Sequence, residues 1–223
     1  MFFSKKLLKN PNITHCFFSN RNGVSKNIYK SLNCGLGSKD KKLNIIKNLH
    51  IVSKKIGTKY KNLIIMKQTH SNKILFFGKN EKIKNKIICD GILTNKKRIA
   101  LAVLTADCIP ILIYDKKKNI IGAIHAGWRG AFKDIILKTL NKLSSLGTNK
   151  KNLIVSIGPC IAQKNYEVGI DFYKKFCHKD VVNKFFFKKT GKNKYLFNLR
   201  KFAQNQFEKK GIKNIDHINK NTF

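Results

Sequence analysis

Acidic residues are scarce in this sequence, which has 11 Asp and Glu against 47 Lys and Arg and a formal net charge of +36. Arginine is scarce too, and the four arginines are Arg21, Arg98, Arg129 and Arg200. The lysines are scattered over every segment, whereas a dedicated nucleic-acid-binding surface concentrates its basic residues and favours arginine. We therefore attribute the charge to compositional drift and expect no specific nucleic-acid partner, although the charge should attract small anions.

Paired cysteines and long apolar runs are also missing. The six cysteines include no CxxC pair, and the N-terminal sequence MFFSKKLLKN has too short an apolar run for a signal peptide. No apolar stretch reaches the roughly 18 residues that a membrane span requires. These absences predict a reduced, cytoplasmic protein with no membrane partner. They do not decide between a monomer and a dimer.

The length and the apolar pattern predict a single domain over residues 1–223. A hydrophobic content of 42% is enough to form a core in a chain of 223 residues. Short apolar runs typical of strands alternate with amphipathic stretches typical of helices. Strands are predicted within 62–70, 87–94, 99–115, 119–127 and 152–161, and helices over 41–57 and 131–147. The pattern indicates an α+β fold with helices outside the sheet layers.

Several of the predicted strands end in polar residues, which suit a site at one rim of a sheet. Among them, His70, Cys108 and His125 supply two imidazoles and one thiolate. Such a set binds a metal through three ligands and leaves one tetrahedral position for water. The same residues are also consistent with Cys108 as a nucleophile that His125 activates. The spacing alone leaves both alternatives open.

Two aspartates interrupt apolar runs in this region. Asp107 lies between Ala106 and Cys108, where a carboxylate is costly unless it is paired, so it is either a site residue or a structural one. Asp115 precedes the sequence KKKN and is predicted to cap a turn.

The stretch HAGWRG, residues 125–130, adds an anion-binding feature. Gly127 and Gly130 permit close backbone approach. Arg129 stands just before a helix expected to start near Ala131. A guanidinium beside a helix N-terminus suits phosphate.

Six stretches in this order resemble the YfiH family, also called the laccase-domain, polyphenol oxidase or DUF152 family. They are FFSNRNGVSKNIYKSLNCGLG (17–37), KQTHSN (67–72), CDGILT (89–94), LTADCIPILIYD (104–115), IHAGWRG (124–130) and IGPCIAQKNYEVG (157–169). The resemblance implies a single-domain, layered α/β/β/α sandwich. It also implies a metal, usually Zn²⁺, held by His70, Cys108 and His125.

The resemblance further implies an enzyme acting on purine nucleosides and phosphate. The expected reactions are phosphorolysis of adenosine, inosine and methylthioadenosine to the free base and (methylthio)ribose-1-phosphate, and deamination of adenosine. On this hypothesis Asp107 and Arg129 join the three metal ligands as catalytic residues. Arg129, with Arg21 as a weaker candidate, holds phosphate, Gln68 hydrogen-bonds the purine edge, and Asp90 or Asp107 orients the ligands or the purine.

Two other enzyme classes compete with this assignment. Some relatives edit peptidoglycan precursors in the cytoplasm, which a cysteine- or zinc-dependent amidase could do with the same Cys108 and His125. A copper-dependent polyphenol oxidase is also conceivable because a His₂Cys set suits copper. A multicopper centre, however, requires more histidines than the six in this chain.

The sequence departs from the family pattern in three places. Ser71 and Ala162 stand where glycine is usual in relatives. Relatives also continue into a Cys-Thr and a Phe-Phe-Ser-Tyr-Arg-Arg segment, whereas this chain stops at INKNTF. We therefore expect the domain over 1–223 to lack the C-terminal family segment, and with it an arginine that could complete the substrate pocket.

Overall fold

The computed structural model describes residues 1–83 and 86–223. In chain order the strands are β1 (Leu63–Ile65), β2 (Ile74–Phe77), β3 (Gly91–Thr94), β4 (Ala100–Ala102), β5 (Ile109–Asp115), β6 (Ile120–Ala126), β7 (Leu153–Ile157), β8 (Glu167–Gly169), β9 (Phe187–Lys189), β10 (Lys194–Phe197) and β11 (Ile215–His217). The α-helices are α1 (Lys5–Leu8), α2 (Lys42–Lys55), α3 (Trp128–Phe132), α4 (Ile135–Ser145), α5 (Ile170–Lys179) and α6 (Leu199–Glu208).

A six-stranded mixed sheet in the order β11-β7-β5-β6-β3-β2 forms the centre of the fold. β5 pairs antiparallel with β6 and β7, whereas the outer pairs β11–β7 and β2–β3 are parallel. Side chains alternate between the two faces of a strand. Along β5, Ile111 and Ile113 therefore join the core beneath the helices, while Leu112 and Tyr114 face the opposite layer. β5 is thus buried on both faces.

Helices α4 and α6 cover one face of this sheet. The helix prediction for 131–147 rests on an apolar stripe of Ile135, Ile136, Leu140 and Leu143, and the structure confirms it by burying all four side chains in the main core. The predicted single helix over 131–147 is wrong at its start. The chain takes a left-handed conformation at Asp134 (φ 62°), which separates α3 from α4. Gly147 ends the segment as predicted, with φ +77°.

The opposite face carries a smaller layer made of β1, β4 and α2. The first two strands pair in parallel, and α2 buries Leu49 and Val52 against them. The helix prediction for 41–57 also counts Leu43 and Ile46 among its apolar positions, but both side chains are exposed. A cavity of about 2660 Å³ separates this layer from the central sheet. The order of the layers, namely helices, central sheet, small sheet and helix, matches the layered α/β/β/α arrangement that the resemblance implies.

A three-stranded antiparallel sheet, β8-β10-β9, packs with α5 beside the main core. Stacked and edge-on rings hold this part together, among them Phe172, Phe176 and Phe197. The turn prediction for Asp115 is confirmed, because its carboxylate accepts hydrogen bonds from the N–H groups of Lys117 (2.8 Å) and Lys118 (3.0 Å). Across the described residues, no helix has both the length and the apolar character needed to cross a bilayer.

Candidate metal centre

His70, Cys108 and His125 meet at one point, although they come from three separate segments. His70 lies in the loop after β1, Cys108 directly precedes β5, and His125 lies near the end of β6. Their ligand atoms all lie within 4.8 Å of one another, and Cys108 Sγ is 3.9 Å from His70 Nε2. The two imidazole rings are 4.8 Å apart and nearly perpendicular. The structure therefore brings the predicted set together.

The separation of these atoms is close to that of a tetrahedral metal site. Zinc–nitrogen and zinc–sulfur bonds of ordinary length place neighbouring ligand atoms about 3.3–3.6 Å apart. The ligand atoms here all lie within 4.8 Å of one another, which is within roughly 1 Å of that range.

Asp90 is the hub that orders both histidines. Its fully buried carboxylate accepts hydrogen bonds from the backbone N–H groups of Thr69 (3.2 Å), His70 (3.0 Å) and Ser71 (2.7 Å) and from the Ser71 hydroxyl (2.6 Å). It also lies 2.8 Å from Nδ1 of His125. Because an ionised carboxylate accepts and cannot donate, Nδ1 of His125 carries the proton and Nε2 keeps its lone pair.

These hydrogen bonds also fix the charge of Asp90. Burial alone would raise the pKa of its carboxyl, but the hydrogen bonds from His125, Ser71 and Thr69 outweigh burial and hold that pKa well below its usual range. The same bonds stabilise an unusual backbone. His70 has φ +56°, a left-handed conformation that costs a non-glycine residue about 1–2 kcal/mol. Three consecutive amides directed at one carboxylate offset that cost.

Two glycines of the HAGWRG stretch are required by close packing at the centre. A Cβ on Gly127 would lie 2.8 Å from Cys108 Sγ and 2.9 Å from His70 Cδ2. A Cβ on Gly130 would lie 2.9 Å from the carbonyl oxygen of Ser71. The prediction that these glycines permit close approach is therefore confirmed.

The protein environment disfavours charge on the ligand side chains. Burial raises the pKa of the Cys108 thiol to about 11, and the neighbouring Asp107 carboxylate adds to the effect. Burial also lowers the pKa of His70, and the proximity of His125 lowers it further. His70 is therefore a neutral imidazole at physiological pH, which is the form that binds metals.

Two of the residues predicted to contact substrate are occupied by other partners. Gln68 donates from Nε2 to the Leu104 carbonyl (2.7 Å) and accepts the Leu104 N–H at Oε1 (2.8 Å). It thereby ties the loop before Cys108 to the loop before His70. Asp90 has no exposed surface, so a substrate cannot contact its carboxylate. Gln68 and Asp90 therefore hold the segments that carry the three ligands and do not face a substrate.

Asp107 and the arginines lie at or beyond the rim. Asp107 is exposed and accepts a hydrogen bond from Thr222 Oγ1 (2.9 Å). Arg129 lies within α3, because that helix begins at Trp128 and not near Ala131 as predicted. It is exposed, its guanidinium stacks 5.3 Å from the Trp128 ring centre, and its charge helps to lower the pKa of His70. Arg21 lines the cavity between the layers, whose walls do not include the three ligand side chains.

Sequence reasoning missed two residues beside the centre. The hydroxyl of Ser71, noted above only as a departure from glycine, forms one of the shortest bonds to Asp90. Tyr166 lies near Cys108 and Asp107. Burial raises the pKa of its phenol to about 12, and the charges of Cys108 and Asp107 contribute to the shift. Tyr166 belongs to the NYEVG stretch, and its ring packs against Phe172 and Phe197. Its position could have been suspected from that motif.

The profile of the family described as "Multi-copper polyphenol oxidoreductase laccase" matches residues 14–223. The chain belongs to this family. Its fold agrees with the structures of a DUF152 protein from Neisseria meningitidis (TM-score 0.81, 26% identity, 91% of this chain and 81% of that one) and of YfiH from Bacillus licheniformis (TM-score 0.85, 24% identity, 91% and 80%).

Curated members of the family are similar over most of the chain. A protein of Rickettsia conorii named purine nucleoside phosphorylase is 40% identical, covering 82% of this chain and 77% of its own length. A protein of the same name from Haemophilus influenzae is 31% identical, covering 96% and 86%. Purine nucleoside phosphorylase YlmD of Bacillus subtilis is 30% identical, covering 71% and 60%.

Proposed function

We propose that this protein is a metal-dependent enzyme that acts on purine nucleosides. It would split adenosine, inosine and methylthioadenosine with phosphate and would also deaminate adenosine. The observation that carries the proposal is the convergence of His70, Cys108 and His125 around one point, backed by Asp90. Relatives named purine nucleoside phosphorylase, similar over most of the chain, support the substrate class.

The donor set fits Zn²⁺. Two imidazoles and one thiol form a three-ligand site, Asp90 bonds the imidazole of His125 and the backbone N–H of His70, and Gly127 leaves room for the donor side chains. When bound, zinc supplies a Lewis acid and lowers the pKa of a water in its open position. Copper also accepts such ligands. Among the described residues, however, this is the one cluster of three such donors, which supports a single ion and not a multicopper centre.

The other site residues take roles at the rim of the centre. Arg129 pairs with no carboxylate among the described residues, so its N–H donors are available to hold phosphate. Arg21 remains the weaker candidate, because it lines the neighbouring cavity. Asp107 is exposed and accepts the Thr222 hydroxyl at one carboxylate oxygen, and its other oxygen would hydrogen-bond the ribose or the purine. Gln68 and Asp90 act as positioning residues and do not contact the purine.

The chemistry of both reactions balances without a redox partner. In phosphorolysis, a phosphate oxygen bonds to C1′ as the bond from C1′ to the purine nitrogen breaks, and the proton of phosphate goes to the departing base. In deamination, water replaces the amino group at C6 and ammonia leaves. Because all six cysteines are free, the proposal places the enzyme in a reducing compartment such as the cytoplasm.

The amidase alternative fits the geometry less well. It requires Cys108 as a nucleophile with His125 as its base. Asp90 on Nδ1 of His125 would leave Nε2 to act as that base. The imidazole in contact with Cys108 is, however, that of His70, at 3.9 Å, and burial raises the pKa of the Cys108 thiol to about 11, which disfavours the thiolate nucleophile. A trapped acyl group on Cys108 would favour the amidase. Oxygen uptake with a phenol as substrate would favour the copper oxidase.

The decisive experiment compares the wild type with His125→Ala and with the control His178→Ala, which changes an exposed histidine of α5. Zinc-loaded proteins are assayed for hypoxanthine and ribose-1-phosphate from inosine plus phosphate, for ammonia from adenosine, and for metal content. We expect activity and metal to be lost in His125→Ala and retained in the control. Normal turnover by His125→Ala, or no phosphate-dependent product from the wild type, would refute the proposal.

A further inference from the structure

Residues 218–222, here called the tail segment, lie along the rim of the metal centre. The N–H of Ile218 donates to the carbonyl of Ile157 at the end of β7 (2.9 Å), and the N–H of Cys160 donates to the carbonyl of Lys220 (3.3 Å). These bonds lay the tail segment along the chain that follows β7. The segment is therefore an ordered part of the wall and not a loose end.

Beyond Lys220 the tail segment contacts residues next to the centre. Asn221 accepts the N–H of Ala162 (2.8 Å) and donates to the side-chain oxygen of Asn165 (2.8 Å). Thr222 donates its hydroxyl to the carboxylate of Asp107 (2.9 Å). Two hydrogen bonds thus lead from the tail to the loop before Tyr166, and one leads to the residue before Cys108.

Arg200, near the start of α6, anchors the tail segment. Its guanidinium donates to the side-chain oxygen of Asn219 and to the carbonyl of Lys220 (2.8 Å). Burial raises the pKa of the Cys160 thiol, and the charge of Arg200 opposes that shift. The bonds to Asn219 and Lys220 hold the guanidinium in place, whereas its Nε is buried without a hydrogen-bond partner among the described residues.

The segment that presents Cys108 depends on such contacts. Residues 103–108 join β4 to β5 without forming a helix or strand of their own over most of their length. Hydrogen bonds to other parts of the chain hold this segment in place. Gln68 pairs with Leu104, the carbonyl of Asp107 accepts the N–H of Ile161 (3.0 Å), and the carboxylate of Asp107 accepts Thr222.

We propose that Arg200 is a positioning residue for Cys108. It fixes the tail segment, and Thr222 of that segment then fixes Asp107 and the backbone that directs the Cys108 sulfur at the two imidazoles. The proposal deepens the proposed function, on which its metal-related part rests. Its geometric part, the placement of Cys108, is independent of metal and substrate.

The test compares Arg200→Met, Thr222→Val and the double variant with the control Lys201→Met, which changes the exposed next residue of α6. The first measurement is the rate at which iodoacetamide alkylates Cys108 in metal-free protein, followed by mass spectrometry of its peptide. We expect Arg200→Met to raise this rate about fivefold, as the loss of one net hydrogen bond would. Thr222→Val should raise it less, and the double variant no more than Arg200→Met alone, because both act through one linkage. In Arg200→Lys the alkylation rate should return part of the way to that of the wild type.

The second measurement is zinc affinity by competition with a chelator, where Arg200→Met should weaken binding about tenfold. An unchanged alkylation rate in Arg200→Met, or additive effects in the double variant, would overturn the proposal. If Arg200→Met does not fold, an alkylation rate in Thr222→Val equal to that of the wild type overturns it. Alkylation requires neither metal nor nucleoside. If the variants alter the alkylation rate but the wild type shows no nucleoside turnover, the proposed function is refuted and this inference stands.

Discussion

At the scale of single residues, one carboxylate does most to organise the centre. Asp90 receives bonds from three consecutive amides, two hydroxyls and one imidazole, and it is completely enclosed. A buried charge is tolerated only when its hydrogen-bonding capacity is filled. The folded structure therefore requires the Asp90 carboxyl to be ionised.

Replacing Asp90 with Asn should damage both metal binding and stability. The amide has one acceptor oxygen, so some of the donors lose their partner and the NH₂ group faces other N–H groups. We expect zinc affinity to fall about 10- to 100-fold. We expect the free energy of unfolding of the metal-free protein to fall by about 3 kcal/mol. Chelator competition and urea unfolding measure these, and Asp171→Asn, at an exposed acid of α5, is the control. Unchanged values in Asp90→Asn would contradict this role.

Gly127 offers a change that affects the ligands while leaving the core untouched. In Gly127→Ala the new methyl group would lie within 2.9 Å of both Cys108 and His70, so one of the two must move. We expect metal binding to fall at least tenfold, with little change in helix and sheet content by circular dichroism. Gly37→Ala, where a Cβ meets nothing within 4 Å, is the matched control. Equal zinc affinity in the two variants would show that the centre has more room than the structure indicates.

At the scale of elements, the helix after HAGWRG shows what a sequence pattern can and cannot predict. The apolar spacing correctly predicts which face of α4 is buried, because that spacing reflects the core directly. The break at Asp134 leaves no such signal. Lys179 of α5 bonds to the Asp134 carboxylate (2.7 Å) and to the Phe132 carbonyl. A contact between distant segments accompanies the break.

The same distinction explains the outcome at the site. The convergence of His70, Cys108 and His125 could be predicted from the sequence, since polar residues next to apolar runs mark the rim of a sheet. The pairing of Gln68 with Leu104 and of Thr222 with Asp107 could not. Hydrogen bonds between side chains and remote backbone have no periodicity, so their partners become visible only in the folded chain.

Gly147 provides a prediction for the end of α4. Its φ of +77° lies in the left-handed region, and its N–H closes the helix by bonding to the carbonyl of Ser144 (2.9 Å). Gly147→Ala should lower the free energy of unfolding by about 1 kcal/mol, measured by urea titration, with zinc affinity unchanged. Gly37→Ala again serves as control. A loss of zinc affinity in Gly147→Ala would mean that the end of α4 is coupled to the centre.

At the scale of the whole molecule, a polar contact joins the N-terminal segment to the edge of the central sheet. Nε2 of the buried His15 accepts the N–H of Ser4 (2.8 Å), and the Ser4 hydroxyl donates to Asp216 of β11 (2.6 Å). Burial lowers the pKa of His15, although the charge of Asp216 opposes the shift. The folded protein therefore requires His15 to remain neutral.

Acidification should weaken the fold through this contact. Below the ordinary histidine pKa of 6.5 the unfolded chain takes up a proton that folded His15 resists, so the free energy of unfolding falls as pH decreases. His217, whose pKa burial also lowers, shares the effect. Urea unfolding of metal-free protein at about pH 7.5 and about pH 5.5 should show a smaller loss in His15→Gln than in the wild type. His178→Gln, at an exposed position, should behave as the wild type. Identical losses in His15→Gln and the wild type would exclude His15 as a source of the effect.

The three metal donors come from a loop, a strand entrance and a strand end, and this origin governs when an ion can enter. During synthesis the three ligands cannot come together until residue 125 has left the ribosomal exit tunnel and β6 has paired with its neighbouring strands. On the proposed function, occupancy of the site would therefore report that these three segments have come together, and a chelator would act on the maturation of the protein as well as on its chemistry.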